Sequence, residues 1–330
     1  MDESASKDGR KKSKLAVGVG IAIVGVAVAV LIAVFFWSGE AEDDSRRLPE
    51  MVDATVEYHR QNHPEPQSWW QLIALKSAGE DLRDDPWKDP ALPRLEEGSA
   101  PTDFAAAILA MLALDKNPAE DWPGLDPVAE LQEMQKEDGS FGGGLNYTIW
   151  PMIALGAADS EEFAESGSEE AVKYLLQQQL EDGGFALSGK AGDPDVTAMA
   201  IQALMIYEGL LPEIDSAVEE ALLFLQDKQL PEGGFASYGT ENANSISVVI
   251  SALLAADEYP LGPEWRKEDT VGSHDMLSAL QRFQLEDGSF TYLLEPARPN
   301  PMATSQALIA LGDLMAGEPI WTRLQEGERP

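Results

Sequence analysis

No cysteine occurs in the 330 residues of the chain. Disulfides, a thiolate nucleophile, a thioester and any zinc site built on Cys are therefore excluded. Histidine is scarce, with three residues. His59 and His63 stand four apart on an expected helix, a spacing that can share a metal. Arg60 occupies the place where a zinc peptidase helix would carry Glu, and no third ligand presents itself. The two are read as an exposed pair, and neither a metal nor any other cofactor is expected. Positive charge is also thin: 23 Lys and Arg face 58 Asp and Glu, for a net charge of −35. Residues 1–14 contribute +2 and residues 15–37 nothing, which leaves −37 for the remainder. So acidic a surface repels nucleic acid, which is discarded as a partner.

What is present begins with an uncharged run. Leu15 to Trp37, "LAVGVGIAIVGVAVAVLIAVFFW", is long enough to cross a bilayer as a helix. Arg10, Lys11, Lys12 and Lys14 precede it and "EAEDD" follows it. The positive-inside bias gives a single-pass plasma-membrane protein, with its N-terminus cytoplasmic and the bulk of the chain outside. A cleaved signal peptide is the competing reading, but the apolar run exceeds a usual signal core. The division expected is a basic segment 1–14, an anchor 15–37, an acidic linker 38–48, a helical domain 49–322 and a tail 323–330.

Within the domain one pattern occurs four times: Gln135-x-x-x-Gly139-x-Phe141, Gln179…Gly183-x-Phe185, Gln229…Gly233-x-Phe235 and Gln284…Gly288-x-Phe290. Upstream of each Gln the apolar residues recur three and four apart, as in Ala171, Tyr174, Leu175 and Ala221, Phe224, Leu225, the stripe of an amphipathic helix. The glycine ends that helix in the left-handed conformation, and the phenylalanine folds back to bury about 2–3 kcal/mol of apolar surface. A polar loop and a second helix follow, apolar nearly all round, such as "DVTAMAIQALMIY" from Asp195 or "NSISVVISALLAAD" from Asn244. Helices of that kind are buried among close neighbours. The chain thus alternates outer and inner helices in about six hairpins. Successive Phe residues lie 44, 50 and 55 apart, too uneven for a strict solenoid and compatible with a closed ring.

The spacing aromatic-Leu-x-x-x-Gln-x-x-x-Gly-x-aromatic resembles the QW repeat of squalene and hopene cyclases, with Phe in the Trp position. Together with "DPDVTAMAIQAL" and "GGFASYGTENANSISVVISALLA" it is similar to the prenyltransferase/squalene-oxidase-repeat proteins of bacterial cell surfaces, which are related to the toroid of cobalamin carriers. The resemblance spans nearly all of 48–322 and implies an all-α, (α/α)6 toroid behind the transmembrane helix. Zinc-dependent protein prenylation is not implied, because the Cys ligand is missing.

The same resemblance places Asp195, in "DPDVTA", on the general acid of class II terpene cyclases, although Val196 stands where the family has a second Asp. Such an acid has its pKa raised by an apolar cavity. The simpler role for Asp195 is to cap the inner helix, as Asn244 or Ser245 would cap the next. In a toroid the inner helices all start at one end, so their N-termini surround one mouth. Tyr147, Trp150, Asp193, Asp195, Thr197, Tyr238, Asn242, Asn244, Ser245 and Tyr292 are the candidate ligand contacts there, with Arg298 beside them. The expected function is ligand binding without turnover, the guest being a hydrophobic small molecule, a peptide or a glycan. The alternatives are an isoprenoid cyclase using Asp195 and a scaffold for a surface protein partner.

Overall fold

A computed structural model describes residues 39–326 apart from 67, 85, 86, 88–91, 97 and 269–271. The expected anchor, 15–37, and the basic segment before it lie outside the described residues. None of the described helices is long and apolar enough to cross a membrane. The chain divides into two units at Glu50–Met51. Helix α1 (Gly39–Asn62) begins within the stretch expected to be linker, so residues 39–48 are helical. In the first unit Arg46 pairs with Glu50 one turn on.

The second unit is built on six inner helices: α2 (Trp69–Ser77), α3 (Pro101–Ala113), α5 (Asn146–Ala157), α8 (Pro194–Met205), α10 (Ala243–Ala255) and α12 (Pro301–Ala316). Each packs against the next, and α12 packs back against α2, so the ring is closed. Outer helices stand before the inner ones: α1, α4 (Pro127–Glu133), α6 (Glu161–Ser166) with α7 (Ser168–Leu176), α9 (Glu213–Lys228) and α11 (Met276–Gln281). Among the described residues, 80–100 contain no helix, so the second hairpin has an inner arm and a looped outer one. Two hairpins of two-residue strands interrupt the helices, β1 (Ala236–Ser237) with β2 (Thr240–Glu241) and β3 (Lys267–Glu268) with β4 (Ser273–His274).

The inner helices are apolar and Ala-rich, and they are buried accordingly. In α3 every residue from Phe104 to Ala113 is buried. Side chains start most of these helices: Ser68 caps α2, Asp193 caps α8, Asn242 caps α10 and Asn300 caps α12. Proline at the first position of α3, α8 and α12 fixes the entry angle without losing a hydrogen bond.

The fourfold motif is the joint between neighbouring outer helices as well as the corner of each hairpin. All four phenylalanines, Phe141, Phe185, Phe235 and Phe290, are buried. The glycines adopt φ of +86°, +81°, +82° and +85° at Gly139, Gly183, Gly233 and Gly288. Each also abuts the backbone that follows it around the ring. A Cβ at Gly183 would lie 2.6 Å from the Glu220 carbonyl oxygen, and one at Gly233 2.6 Å from that of Asp275. Gly139 meets Glu170, and Gly288 meets Ala54 of α1, even more closely. The glutamine makes the matching bond. Gln179 Nε2 donates to Gly183 O at 2.9 Å and to Ala217 O in α9 at 2.7 Å. Gln135 reaches Gly167 O and Gln229 reaches Trp265 O, both at 2.8 Å. Gln284 donates to Met51 O at 3.0 Å and to Thr55 Oγ1 at 3.1 Å, both in α1, so the same joint closes the ring.

Helix α13 (Ile320–Glu326) follows the sixth inner helix and packs on α2, α5 and α12. The segment expected as a tail from residue 323 therefore belongs in part to the toroid, with Leu324 buried in it.

Candidate site in the shaft of the ring

Positions spaced three and four apart on the inner helices face the axis of the ring. On α8 they are Asp195, Met199 and Gln202. On α10 they are Asn244, Val248 and Ser251. On α12 they are Met302, Gln306, Ile309 and Asp313. Two further inner helices contribute Trp70 and Trp150, and a small cavity of about 40 Å³ lies between Trp70, Trp150, Met199, Val248, Gln306 and Trp321. That volume holds one or two waters.

The lower end is shut by α13. Trp321 is buried, and its Nε1 donates to Gln202 Oε1 at 2.7 Å. The Gln202 amide in turn reaches Val248 O at 3.2 Å. Below it Asp313 is fully buried and accepts from Ser251 Oγ at 2.8 Å, from Ser77 Oγ at 3.0 Å and from Arg323 Nη2 at 2.7 Å. Burial pushes the Asp313 carboxyl up to about 6, while the Arg323 charge pulls the other way. Gly312 lets α12 approach Ser77 of α2, since a Cβ there would strike Ser77.

The upper end is half open. Trp69, Trp70 and Trp150 are each partly exposed. Trp69 and Trp70 stack with ring centres 4.2 Å apart, Trp150 meets Trp70 edge-on at 5.3 Å, and Trp321 meets Trp150 edge-on at 6.0 Å. One turn above Met199 stands Asp195, whose Oδ1 is buried and has no hydrogen-bond partner among the described residues. Asn244 Oδ1 and Gln306 Oε1 are in the same condition on the neighbouring helices. Burial raises the Asp195 carboxyl to about 6; the nearby Ser245 and Ser237 hydroxyls oppose this, and the charge of Asp193 adds to it.

The expected caps shift by two residues. Asp193, not Asp195, caps α8: its Oδ1 accepts from the amides of Asp195 at 3.0 Å and Val196 at 3.3 Å, and its Oδ2 from Ser237 Oγ at 2.8 Å. Asn242, not Asn244 or Ser245, caps α10 by accepting from Ser245 N at 2.9 Å. Three expected ligand contacts are parts of the frame instead. Thr197 is fully buried, and its Oγ1 accepts from Phe185 N at 2.9 Å; Thr304 does the same for Phe290. Asn242 and Ser245 are fully buried and bonded to each other at 2.8 Å. Tyr238 sits 85% exposed at the tip of the β1–β2 hairpin with φ +52°, outside the shaft. Tyr147 packs on Gly142 in the loop before α5. Tyr292, 41% exposed, lies with Arg298 on a cleft of about 100 Å³ in the loop before α12. His59, expected to be exposed, is buried with its pKa lowered to about 4 by desolvation and by His63. No group of three potential metal ligands occurs among the described residues.

Trp69, Trp70, Gln306 and Trp321 were not expected at the site. "SWWQLIALKSAG" announces an inner helix, but only the closed ring brings it beside Trp150.

Two overlapping matches to the model of the prenyltransferase alpha-alpha toroid domain cover residues 103–255 and 145–291. The chain belongs to that family. Solved structures similar to this toroid include a polysaccharide lyase (TM-score 0.55, 11% identity, covering 84% of this chain and 98% of that one). A type II terpene cyclase from Scytonema, in complex with geranylgeranyl dihydroxybenzoate, gives a TM-score of 0.54 at 13% identity, covering 82% and 98%. A protein from Actinoplanes gives 0.50 at 12%, covering 82% and 99%. At such identities the toroid fold is what these proteins share with the chain. None of the curated protein sequences matches it.

Proposed function

We propose that this toroid is a membrane-anchored, extracytoplasmic binding module that takes a small ligand, or one group of a larger one, at the upper end of its shaft without turning it over. The observation that carries the reading is the half-open end itself: Trp70 and Trp150 partly exposed beside Gln306, with orphaned acceptor atoms at its rim. Exposed indole faces beside unpaired polar atoms are the makings of a specific pocket, and they are a poor way to finish a protein core. The anchor rests on the uncharged run 15–37 and the basic residues before it.

Native mass spectrometry of the full-length protein, after incubation with an extract of cells and medium, tests this. A discrete retained mass that disappears in Trp150→Ala is the expected result. Repeated absence of any adduct would overturn it and leave the toroid as a scaffold for a partner protein. Catalysis by Asp195 has one observation in its favour, the carboxyl raised to about 6 by burial. Against it, the shaft beside Trp321 has room for water-sized groups and not for an isoprenoid chain.

A further inference from the structure

An unpaired buried carboxylate oxygen and two unpaired amide oxygens stand in the upper shaft with two indole faces, and that combination identifies a guest. Several backbone and indole donors there are already engaged. First-turn amides of α2, α8, α10 and α12 donate to Ser68, Asp193, Asn242 and Asn300. The Trp321 indole N–H is held by Gln202. No Lys or Arg occurs at the axis-facing positions of α8, α10 or α12. What remains are three buried acceptors without donors, Asp195 Oδ1, Asn244 Oδ1 and Gln306 Oε1, and the faces of Trp70 and Trp150.

We propose, resting on the binding reading above, that the upper shaft receives a primary alkylammonium group, its N–H donors shared among Asp195, Asn244 and Gln306 and its charge facing Trp70 and Trp150. An ammonium has three donors and no acceptor, which matches the three orphaned oxygens. Indole faces attract a cation, and more strongly where water is excluded. The cavity of about 40 Å³, lined by Gln306, Trp70 and Trp150 and lying one turn below Asp195 and Asn244, is of head-group size, so the ammonium sits at its upper edge and the alkyl tail leaves past Met302, which is 48% exposed. A carboxylate or phosphate would be buried against the Asp195 carboxyl with no Lys or Arg at the axis-facing positions to offset the charge, and a hydrocarbon would leave all three oxygens unpaired. A neutral alcohol offers one donor for three oxygens and no charge for the Asp195 carboxylate or the indole faces. Burial already unsettles the Asp195 carboxylate, and a cation beside it restores the ionised form.

The test is isothermal titration of the full-length protein in nonionic detergent with n-butylammonium, n-butanol and butyrate, with tryptophan fluorescence as a second readout. Saturable binding of n-butylammonium alone is expected, weakened about tenfold or more by Asp195→Asn, as for loss of a charged hydrogen bond. Comparing the three probes on the wild-type protein needs no variant and so does not depend on how Asp195→Asn folds. Equal binding of n-butanol, or no saturable binding of n-butylammonium, would overturn the proposal. If Trp150→Ala also abolishes a ligand retained from extract while n-butylammonium has no effect, the binding site stands and the ammonium assignment falls.

Discussion

At the scale of single residues, the buried carboxyls carry the sharpest expectations. Asp195 and Asp313 are both raised to about 6 by burial. A carboxyl whose folded pKa lies above its unfolded value binds more protons in the native state through that interval. Stability is then greatest below the unfolded pKa and falls as pH rises through about 6. Around Asp195 the charged or titratable neighbours are Asp193 and Tyr292, and neither supplies a cation. Asp195→Asn is therefore expected to flatten the decline between pH 4 and 6 and to stabilise the protein at pH 7 by roughly 2–3 kcal/mol at most. Urea midpoints at pH 4 and pH 7 check it. Asp313 is different because Arg323 faces it at 2.7 Å. Arg323→Ala leaves that charge buried and alone, and about 3–5 kcal/mol should be lost. Adding Asp313→Asn should restore much of it, and a double-mutant cycle in denaturant measures the coupling.

At the scale of elements, the four corners are one device. Each corner is local in its glycine and phenylalanine and long-range in its glutamine, whose second bond crosses to the backbone of the next outer helix or of the segment leading into it. Gln284→Ala and Gln179→Ala should each lower stability by about 1–2 kcal/mol, since each removes both hydrogen bonds that the glutamine amide makes across the joint. Gly288→Ala should be worse than either. Its φ of +85° is unfavourable for any residue with a Cβ, and the added methyl is driven into Ala54. Thermal denaturation of the three variants ranks them; an unchanged midpoint for Gly288→Ala would show that α1 yields easily and that the seam is loose.

At the scale of the whole domain, closure changes how the repeats lose structure. In an open array each repeat contacts only its neighbours and the ends fray. Here Gln284 and Gly288 lock onto α1, and Gly312 seats α12 on α2, so neither terminal repeat is free. The tryptophan cluster gathers residues 69, 70, 150 and 321 from both ends of the domain. Unfolding followed by tryptophan fluorescence and by helical circular dichroism should therefore coincide. Separate midpoints would show that the seam opens before the ring. Trp321→Ala removes the plug, should lower stability by about 3–5 kcal/mol, and should raise acrylamide quenching of the remaining tryptophans as water enters the shaft.

The alternation of outer and inner helices, the left-handed glycine and the buried phenylalanine were legible in the sequence because each depends on residues within a few positions of one another. The caps were legible in kind and misplaced by two residues. In "DPDVTA" either Asp can accept from first-turn amides, and Pro194 at the first helical position was the signal that selects Asp193. The glutamine's purpose was hidden, since its second partner lies 32 to 233 residues away. So was the site. Asp195 and Trp150 stood out by type and place, whereas Trp70, Gln306 and Trp321 acquire meaning only where α2, α12 and α13 converge on the axis. The sequence by itself determined the repeating unit, because local backbone preference and the period of apolar residues decide it. Only the tertiary structure decided that the ring closes, that its lower end is plugged and that three acceptors are left without donors, because those depend on which distant surfaces meet.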